Sequence, residues 1–218
     1  MSRLNNSKHA KTSSLIFIYR ALKIVGCGPK TPTRKYTVSS MRDALLGPNN
    51  GTNFAHQWNN WVPIKASVLA WRAEKDRIAT RRALSYRGVP MDNTRCPLCG
   101  DYDETANHLF ASCYIFHLVW QHISNWCKIH PFFVFTTRDI LEAHTHINVV
   151  SKKKKIIQAI ILTACWSLWK ARNEKIFEDK EIDLSTLLEE IKSLEYTWIK
   201  NRSFLKILMR KDWCTLDL

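Results

Sequence analysis

The spacing of apolar residues predicts a mainly helical protein. The clearest stripe has apolar residues at i, i+3, i+4, i+7 and i+11, and consists of Phe116, Val119, Trp120, Ile123 and Cys127. This spacing places them on one face of a helix and is typical of a side that packs into the core. A second amphipathic helix is predicted after Asp183, a favourable N-cap for the apolar residues between Leu184 and Trp198.

Shorter elements are predicted from local signals. Helical spacing also follows Pro63, in the residues Ile64, Val68, Leu69 and Trp71. Thr80 is a candidate cap for a helix that ends at Gly88, and Thr136 or Thr137 is a candidate cap for another short helix. Near the N-terminus, residues 35–38 favour a strand and residues 41–46 a short helix. The expected fold is a small helical bundle.

The segment from Ile156 to Trp169 follows four lysines and is almost entirely apolar. A membrane-spanning helix needs about 20 such residues, and this segment is shorter. A buried helix of this length is ordinary in a soluble bundle. We therefore expect a core helix and no membrane association.

The charge distribution favours a polyanionic partner. The 218 residues include 33 Lys and Arg against 19 Asp and Glu, which gives a formal net charge of +14. A basic surface of this kind suits RNA or DNA, although a merely solvated basic face is the alternative. Residues 1–42 contain no acidic residue. They are consistent with an organellar transit peptide or with a basic arm that contacts phosphates.

Cysteine and histidine spacing indicates a metal site. Cys96, Cys99, His108 and Cys113 follow the pattern C-x2-C-x8-H-x4-C. Zinc favours tetrahedral Cys and His coordination, and four protein ligands leave no position for an activated water. His117 competes with His108, because Cys113 and His117 are four residues apart on a helix, whereas pairing His108 with Cys113 requires a break near Ser112. The odd number of cysteines and the C-x2-C spacing favour metal over disulfides, and hence an intracellular, nuclear or cytoplasmic location.

The order of these features resembles a known family. The runs WVPIKASVLAWR (61–72), DRIATRRAL (76–84), RGV (87–89), CPLCG (96–100) and HLF (108–110) occur in the order found in the zinc-binding domain of plant non-LTR retrotransposon reverse transcriptases. The resemblance extends from Trp58 to Trp126. A weaker similarity to the tail that often follows this domain lies at WSLWKARN (166–173).

The resemblance implies a zinc module that helps to hold nucleic acid and performs no chemistry. By position, it implies one structural Zn²⁺ on Cys96, Cys99, His108 and Cys113. Tyr114 stands where the family usually has proline. The adjacent aspartates of a polymerase palm are absent from the sequence, so two-metal nucleotidyl transfer is not expected.

Other enzyme classes find no support in the sequence. It has no P-loop, no H-E-x-x-H and no G-x-S-x-G motif. A nucleophile at Cys127 or Cys165 is conceivable, but both lie on apolar helical faces, where a buried structural thiol is the better interpretation. We expect no catalytic residues.

The basic residues between the aromatic cluster and the metal motif are the candidates for contacting phosphates. They are Lys65, Arg72, Lys75, Arg77, Arg81, Arg82, Arg87 and Arg95. The expected binding is of low sequence specificity, through a Lys- and Arg-rich helical face.

The predicted organisation has three parts. These are a basic N-terminal segment (1–50), the zinc-binding domain (51–130) and a helical C-terminal extension (131–218). Two alternatives to nucleic-acid binding stay open. One is a protein-interaction module that uses the apolar C-terminal helices, and the other is a retroelement relic without a selected function.

Overall fold

The computed structural model describes residues 56–132, 134–203 and Trp213, all within one compact unit, His56–Leu218. The strand and helix predicted at 35–38 and 41–46, and the predicted N-terminal segment, lie outside these residues. Within them the protein is mainly helical, as predicted, with a single isolated antiparallel bridge between Arg95 and Asp103.

Residues 56–132 and 134–203 of this unit form six α-helices and one π-helical turn. The α-helices are α1 (Ile64–Glu74), α2 (Arg81–Tyr86), α3 (Tyr114–Trp126), α4 (Thr137–His146), α5 (Ser151–Phe177) and α6 (Leu184–Arg202). The π-helical turn, His108–Ser112, lies directly before α3.

Three helices begin at the caps that the sequence predicts. The Thr80 side chain accepts a hydrogen bond from the backbone N of Ala83 (3.3 Å), and Asp183 accepts one from the backbone N of Thr186 (2.9 Å). Thr136 forms a reciprocal capping box with Asp139. Each cap satisfies backbone N–H groups that have no partner within their helix.

Helix α5 is the centre of the packing and contacts α1, α4 and α6. Between Ile156 and Leu168 all its residues except Trp166 are buried, so this apolar segment is a core helix, as predicted. No described helix combines the length and the apolarity that a membrane crossing requires. Hydrophobic burial around α5 is the main stabilising contribution to this fold.

The stripe predicted on α3 lies in the core. All five of its side chains, Phe116 to Cys127, are at most 1 % exposed. The indole Nε1 of Trp120 also donates a hydrogen bond to the carbonyl of Phe110 (2.7 Å). This bond fastens α3 to the π-helical turn that precedes it.

Helix α1 is present as predicted, but most of the apolar residues that define its pattern do not face the core. Small side chains, including Ala66, Ala70 and Ala73, are buried on its inner side. Ile64 is 67 % exposed and Trp71 is 36 % exposed. Small inner residues allow a helix to approach its neighbours closely, and among the larger apolar side chains of α1 only Leu69, at 8 % exposed, is buried with them.

Helix α6 places a carboxyl group in the core that the sequence pattern does not indicate. Glu195 is 0 % exposed, and burial raises its pKa to about 8. Its Oε2 is hydrogen-bonded to the Thr163 hydroxyl, and that hydroxyl donates to the carbonyl of Ala159 (2.9 Å). Since a threonine hydroxyl has one proton, it donates to only one of these two oxygens at a time, and burial favours the protonated form of Glu195 beside it.

We expect the buried Glu195 to make the fold less stable as the pH rises. Above the ordinary pKa of 4.5 the unfolded chain loses this proton, whereas the folded protein keeps it until about pH 8. The free energy of unfolding should therefore fall across this window, by up to about 1.4 kcal/mol per pH unit from this group. Urea unfolding of Glu195→Gln at several pH values should show a flatter dependence than the wild type.

The matched control for this prediction is Glu189→Gln, an exposed carboxylate on the same helix. It should leave the pH dependence in place. An unchanged slope in Glu195→Gln would show that the buried carboxyl does not titrate as described.

Candidate metal centre and basic surface

The first two metal-ligand candidates lie on a tight hairpin. The bridge between Arg95 and Asp103 closes it, and the backbone N of Cys96 donates to the carbonyl of Tyr102 (2.7 Å). Gly100 turns the chain with φ +76°, a conformation that favours glycine, and its N–H donates to the carbonyl of Cys96 (2.9 Å). The turn brings the side chains of Cys96 and Cys99 together.

The second pair is brought together by an unusual helical turn. The backbone N of Cys113 donates to the carbonyl of His108, five residues earlier, at 2.6 Å. This is the π-helical bond pattern, which often marks functional sites. At Cys113 the chain becomes extended (φ −69°, ψ 127°) before α3 begins. The break predicted near Ser112 is therefore present, and it allows His108 and Cys113 to face the same point.

The structure brings all four candidates together. One ligand atom from each of Cys96, Cys99, His108 and Cys113 lies within 4.8 Å of the others. The Sγ of Cys99 is 3.3 Å from the Nε2 of His108. Zn–S bonds of about 2.3 Å and Zn–N bonds of about 2.0–2.1 Å place ligand atoms about 3.5–3.8 Å apart in a tetrahedron. The four donors fit a zinc ion with small side-chain adjustments.

The rival histidine does not belong to this cluster. His117 lies on the exposed side of α3, whereas His108 is 7 % exposed. The spacing of His117 from Cys113 suits one helical face, but Cys113 itself precedes the helix and is not on that face. The geometry favours His108.

Proton distribution in the cluster suits metal binding. The hydrogen bond between Cys96 and Cys113 raises the pKa of Cys96 and lowers that of Cys113. Burial lowers the pKa of His108, which keeps its imidazole neutral. Thiolate and neutral imidazole are the forms that bind zinc, so zinc binding would displace the protons of the cysteine thiols.

A buried ion pair connects the metal-binding segment to α5. Arg172 on α5 and Glu104 beside the hairpin are 3 % and 0 % exposed, and both carboxylate oxygens of Glu104 accept from the guanidinium. Glu104 also accepts a hydrogen bond from the backbone N of Arg81, at the start of α2 (2.7 Å). This bidentate pair was not predicted as a structural element. Its one sequence signal is the position of Arg172 four residues after the buried Leu168, on the inner face of α5.

The predicted basic residues surround the hairpin and α1 but do not share one helical face. Lys65 and Arg72 lie on α1, Arg81 and Arg82 lie on α2, and the other four lie outside the helices. All except the half-buried Arg81 are exposed. Lys75 is paired with Glu74 and Arg82 with Asp103. None of the other six forms an ion pair with a carboxylate in the described part of the chain.

The two cysteines considered as nucleophiles are buried, as predicted. Cys127 and Cys165 are 0 % and 1 % exposed, and burial raises the pKa of each thiol to about 12. A thiol with such a pKa is not ionised at neutral pH and is a poor nucleophile. His117, His122 and His130 are all exposed and do not activate these thiols.

The hairpin, the π-helical turn and the Cys3His cluster together form a helical module with a candidate zinc site. The family model described as zinc-binding in reverse transcriptase matches residues 36–120. The resemblance to this domain is thereby confirmed for that part of the chain, which begins upstream of Trp58. The match is to the zinc-binding domain and not to a catalytic reverse transcriptase domain. The finer assignment to plant non-LTR elements stays a prediction, as do the predicted domain boundaries.

Searches of curated proteins and of solved structures gave no match. The family match and the clustering of the four Cys and His donor atoms together indicate that the metal is zinc.

Proposed function

We propose that this protein contains a non-catalytic module that binds RNA or DNA through phosphate contacts, with one structural Zn²⁺. The observation that carries the proposal is the surface beside the metal cluster. Between Trp61 and Gly100 there are eight basic residues and three acidic ones. Exposed cations without local counter-ions attract phosphates, and their binding releases condensed counter-ions from the nucleic acid.

The hairpin that carries Cys96 and Cys99 positions two of these cations. The Nη1 of Arg81 donates to the carbonyl of Arg95 (3.2 Å) and to Asn93 (3.1 Å), and the Nη1 of Arg95 donates to the carbonyl of Gly100 (3.3 Å). These bonds orient two guanidinium groups against the hairpin backbone. A metal that fixes the hairpin therefore preorganises this surface, which lowers the entropic cost of binding.

The metal itself has a structural role in this proposal. Three cysteines and one histidine would complete a tetrahedral shell around a bound zinc ion, which would leave no position for a substrate or an activated water. Thiolate ligands also require a reducing environment, which fits an intracellular location.

We expect neutralisation of two free cations to weaken binding and to reduce its salt dependence. Arg77 and Arg87 are exposed, and their side chains have no ion pair among the described residues. For single strands, each lost phosphate contact should reduce the slope of log K against log salt by about 0.7. Fluorescence anisotropy of a labelled oligonucleotide across a salt series should show this change in the Arg77→Gln, Arg87→Gln double variant.

Lys152→Gln with Arg202→Gln is the matched control, since both residues are exposed and lie away from the hairpin, at the start of α5 and the end of α6. The control removes the same charge and should largely keep the slope. If both double variants reduced the slope equally, the effect would come from the net charge of the protein and not from phosphate contacts at Arg77 and Arg87. An affinity independent of salt would contradict phosphate binding altogether.

The alternative of a protein-interaction module rests on the apolar segment Ile156 to Trp169. In the structure this segment packs against α1, α4 and α6, and all its residues are buried except the half-buried Trp166 and Trp169. Stable association with another protein in high salt, together with negligible nucleic-acid binding, would nevertheless favour that alternative.

A further inference from the structure

The outward face of α1 carries an apolar strip. Ile64, Val68 and Trp71 follow one another at i, i+4 and i+7, so they lie in line on one side of the helix. Ile64 is 67 % and Trp71 is 36 % exposed, and Val68 is half-buried. The opposite side of α1, with its alanines, packs into the core. The strip is therefore partly exposed, on the outer side of α1.

Cations surround this strip. Lys75 follows Trp71 by one helical turn, and Arg72 lies beside it. The Nε and Nη2 of Arg72 donate to the carbonyl of Arg77 at 3.2 and 3.0 Å, which holds the guanidinium in place. The neighbouring carboxylate of Glu74 is only 3 % exposed and is already paired with Lys75 and Arg138. The face is thus apolar along its middle and mainly positive along its edges, where the exposed Asp76 lies between Lys75 and Arg77.

The positive charge of the outward face of α1 favours some binding partners over others. A second copy of the chain would bring the same cations, Lys65, Arg72 and Lys75, against each other, which is unfavourable. A polyanion is complementary to them. In duplex nucleic acid the flat faces of the bases are stacked on one another, so an aromatic and aliphatic strip has no base face to contact. In a single strand these faces are accessible, and an aromatic side chain among cations is a typical site for them.

We propose that the outward face of α1 binds single-stranded nucleic acid, with a base stacked on Trp71 and the backbone held by Arg72, Lys75 and Arg77. Ile64 and Val68 extend the apolar contact to neighbouring bases. This inference rests on the proposed nucleic-acid binding. It adds that the ligand is single-stranded and that Trp71 is the residue that distinguishes single strands from duplexes.

The test compares single-stranded and duplex affinity in the full chain with zinc bound. The probes are oligo(dT), oligo(U) and a mixed-sequence DNA duplex of the same length, at one salt concentration. Trp71→Ala should lose about tenfold or more in affinity for both single strands, because stacking contributes about 1–3 kcal/mol per base. Its affinity for the duplex should change less than about twofold, and Trp71→Phe should retain most of the single-strand affinity.

Phe177→Ala is the matched control, because Phe177 is 79 % exposed and lies beside the acidic residues Glu178 and Asp179. It should leave every affinity unchanged. Zinc content and helical circular dichroism should be the same in all three variants, which separates lost stacking from lost folding.

Three outcomes would overturn the proposal. In the first, Trp71→Ala weakens single-strand and duplex binding equally. In the second, Trp71→Ala leaves all affinities unchanged, as expected if a protein covers this face. In both of these outcomes, a changed slope of log K against log salt in the Arg77→Gln, Arg87→Gln double variant would still support phosphate binding. Only the proposed base stacking on Trp71 would then be wrong. In the third, the wild type binds no probe, and the proposed function fails with it.

Discussion

Cys113→Ser is expected to abolish stoichiometric zinc binding and to unfold the region between the hairpin and α3. Cys113 is fully buried, and it is both a candidate ligand and the N-cap residue that directly precedes α3. Structural zinc contributes about 10–16 kcal/mol of apparent binding free energy in small zinc domains, which is as large as the whole stability of a typical domain. Elemental analysis of the purified variant, with thermal unfolding followed by circular dichroism, measures both effects.

Two other cysteines serve as matched controls for this experiment. Cys127→Ala and Cys165→Ala remove buried thiols that lie outside the cluster. Both variants should keep one zinc per chain and lose only a modest amount of stability through the small cavity created, about 1–2 kcal/mol. If Cys113→Ser kept its zinc and its unfolding temperature, the assignment of Cys113 as a ligand would be wrong.

Arg172→Met is expected to have the second largest effect, a loss of about 3–5 kcal/mol in the free energy of unfolding. The substitution leaves the carboxylate of Glu104 buried without its partner, and an uncompensated buried charge is strongly destabilising. It also removes the guanidinium from the ring of Trp169, whose centroid is 4.8 Å away. Urea unfolding at constant pH measures the loss.

The double variant Glu104→Gln, Arg172→Met separates the cost of the orphaned charge from that of lost packing. Glutamine still accepts the hydrogen bond from the backbone N of Arg81, so much of the stability should return. Lys170→Met is the exposed control on the same helix. It breaks the ion pair with Glu190 and should cost less than about 1 kcal/mol. A cost for Arg172→Met as small as for Lys170→Met would contradict a structural role for the buried pair.

The same pair links the candidate metal-binding segment to the C-terminal helices. Glu104 lies next to the hairpin that carries Cys96 and Cys99, and Arg172 lies on the central helix. Loss of zinc should therefore disturb the packing around α5 as well as the hairpin. The predicted C-terminal extension and the zinc-binding segment are mechanically connected through these two residues.

Local sequence signals were sufficient for most of the helices. The caps at Thr80, Thr136 and Asp183 act within three residues, and the stripe on α3 is set by helical geometry alone. The four metal-ligand candidates were also identified from spacing and resemblance, because zinc imposes a short and specific pattern of donors.

Features that depend on distant parts of the chain could not be derived in this way. Glu104 and Arg172 are 68 residues apart, and only the packing of α5 against the zinc-binding segment makes them partners. The outward direction of Trp71 depends on which side of α1 meets α5, and the alanines decide this as much as the large apolar residues do. Burial of Glu195 likewise follows from the angle at which α6 meets α5.

The coordination shell of the bound metal is the most direct test of the zinc assignment. X-ray absorption at the zinc edge of the purified full chain should fit three sulfurs at about 2.3 Å and one nitrogen at about 2.0–2.1 Å. Such a shell would establish a closed structural centre on Cys96, Cys99, His108 and Cys113. A shell that contains a water oxygen, or protein purified under reducing conditions that holds no zinc, would contradict it.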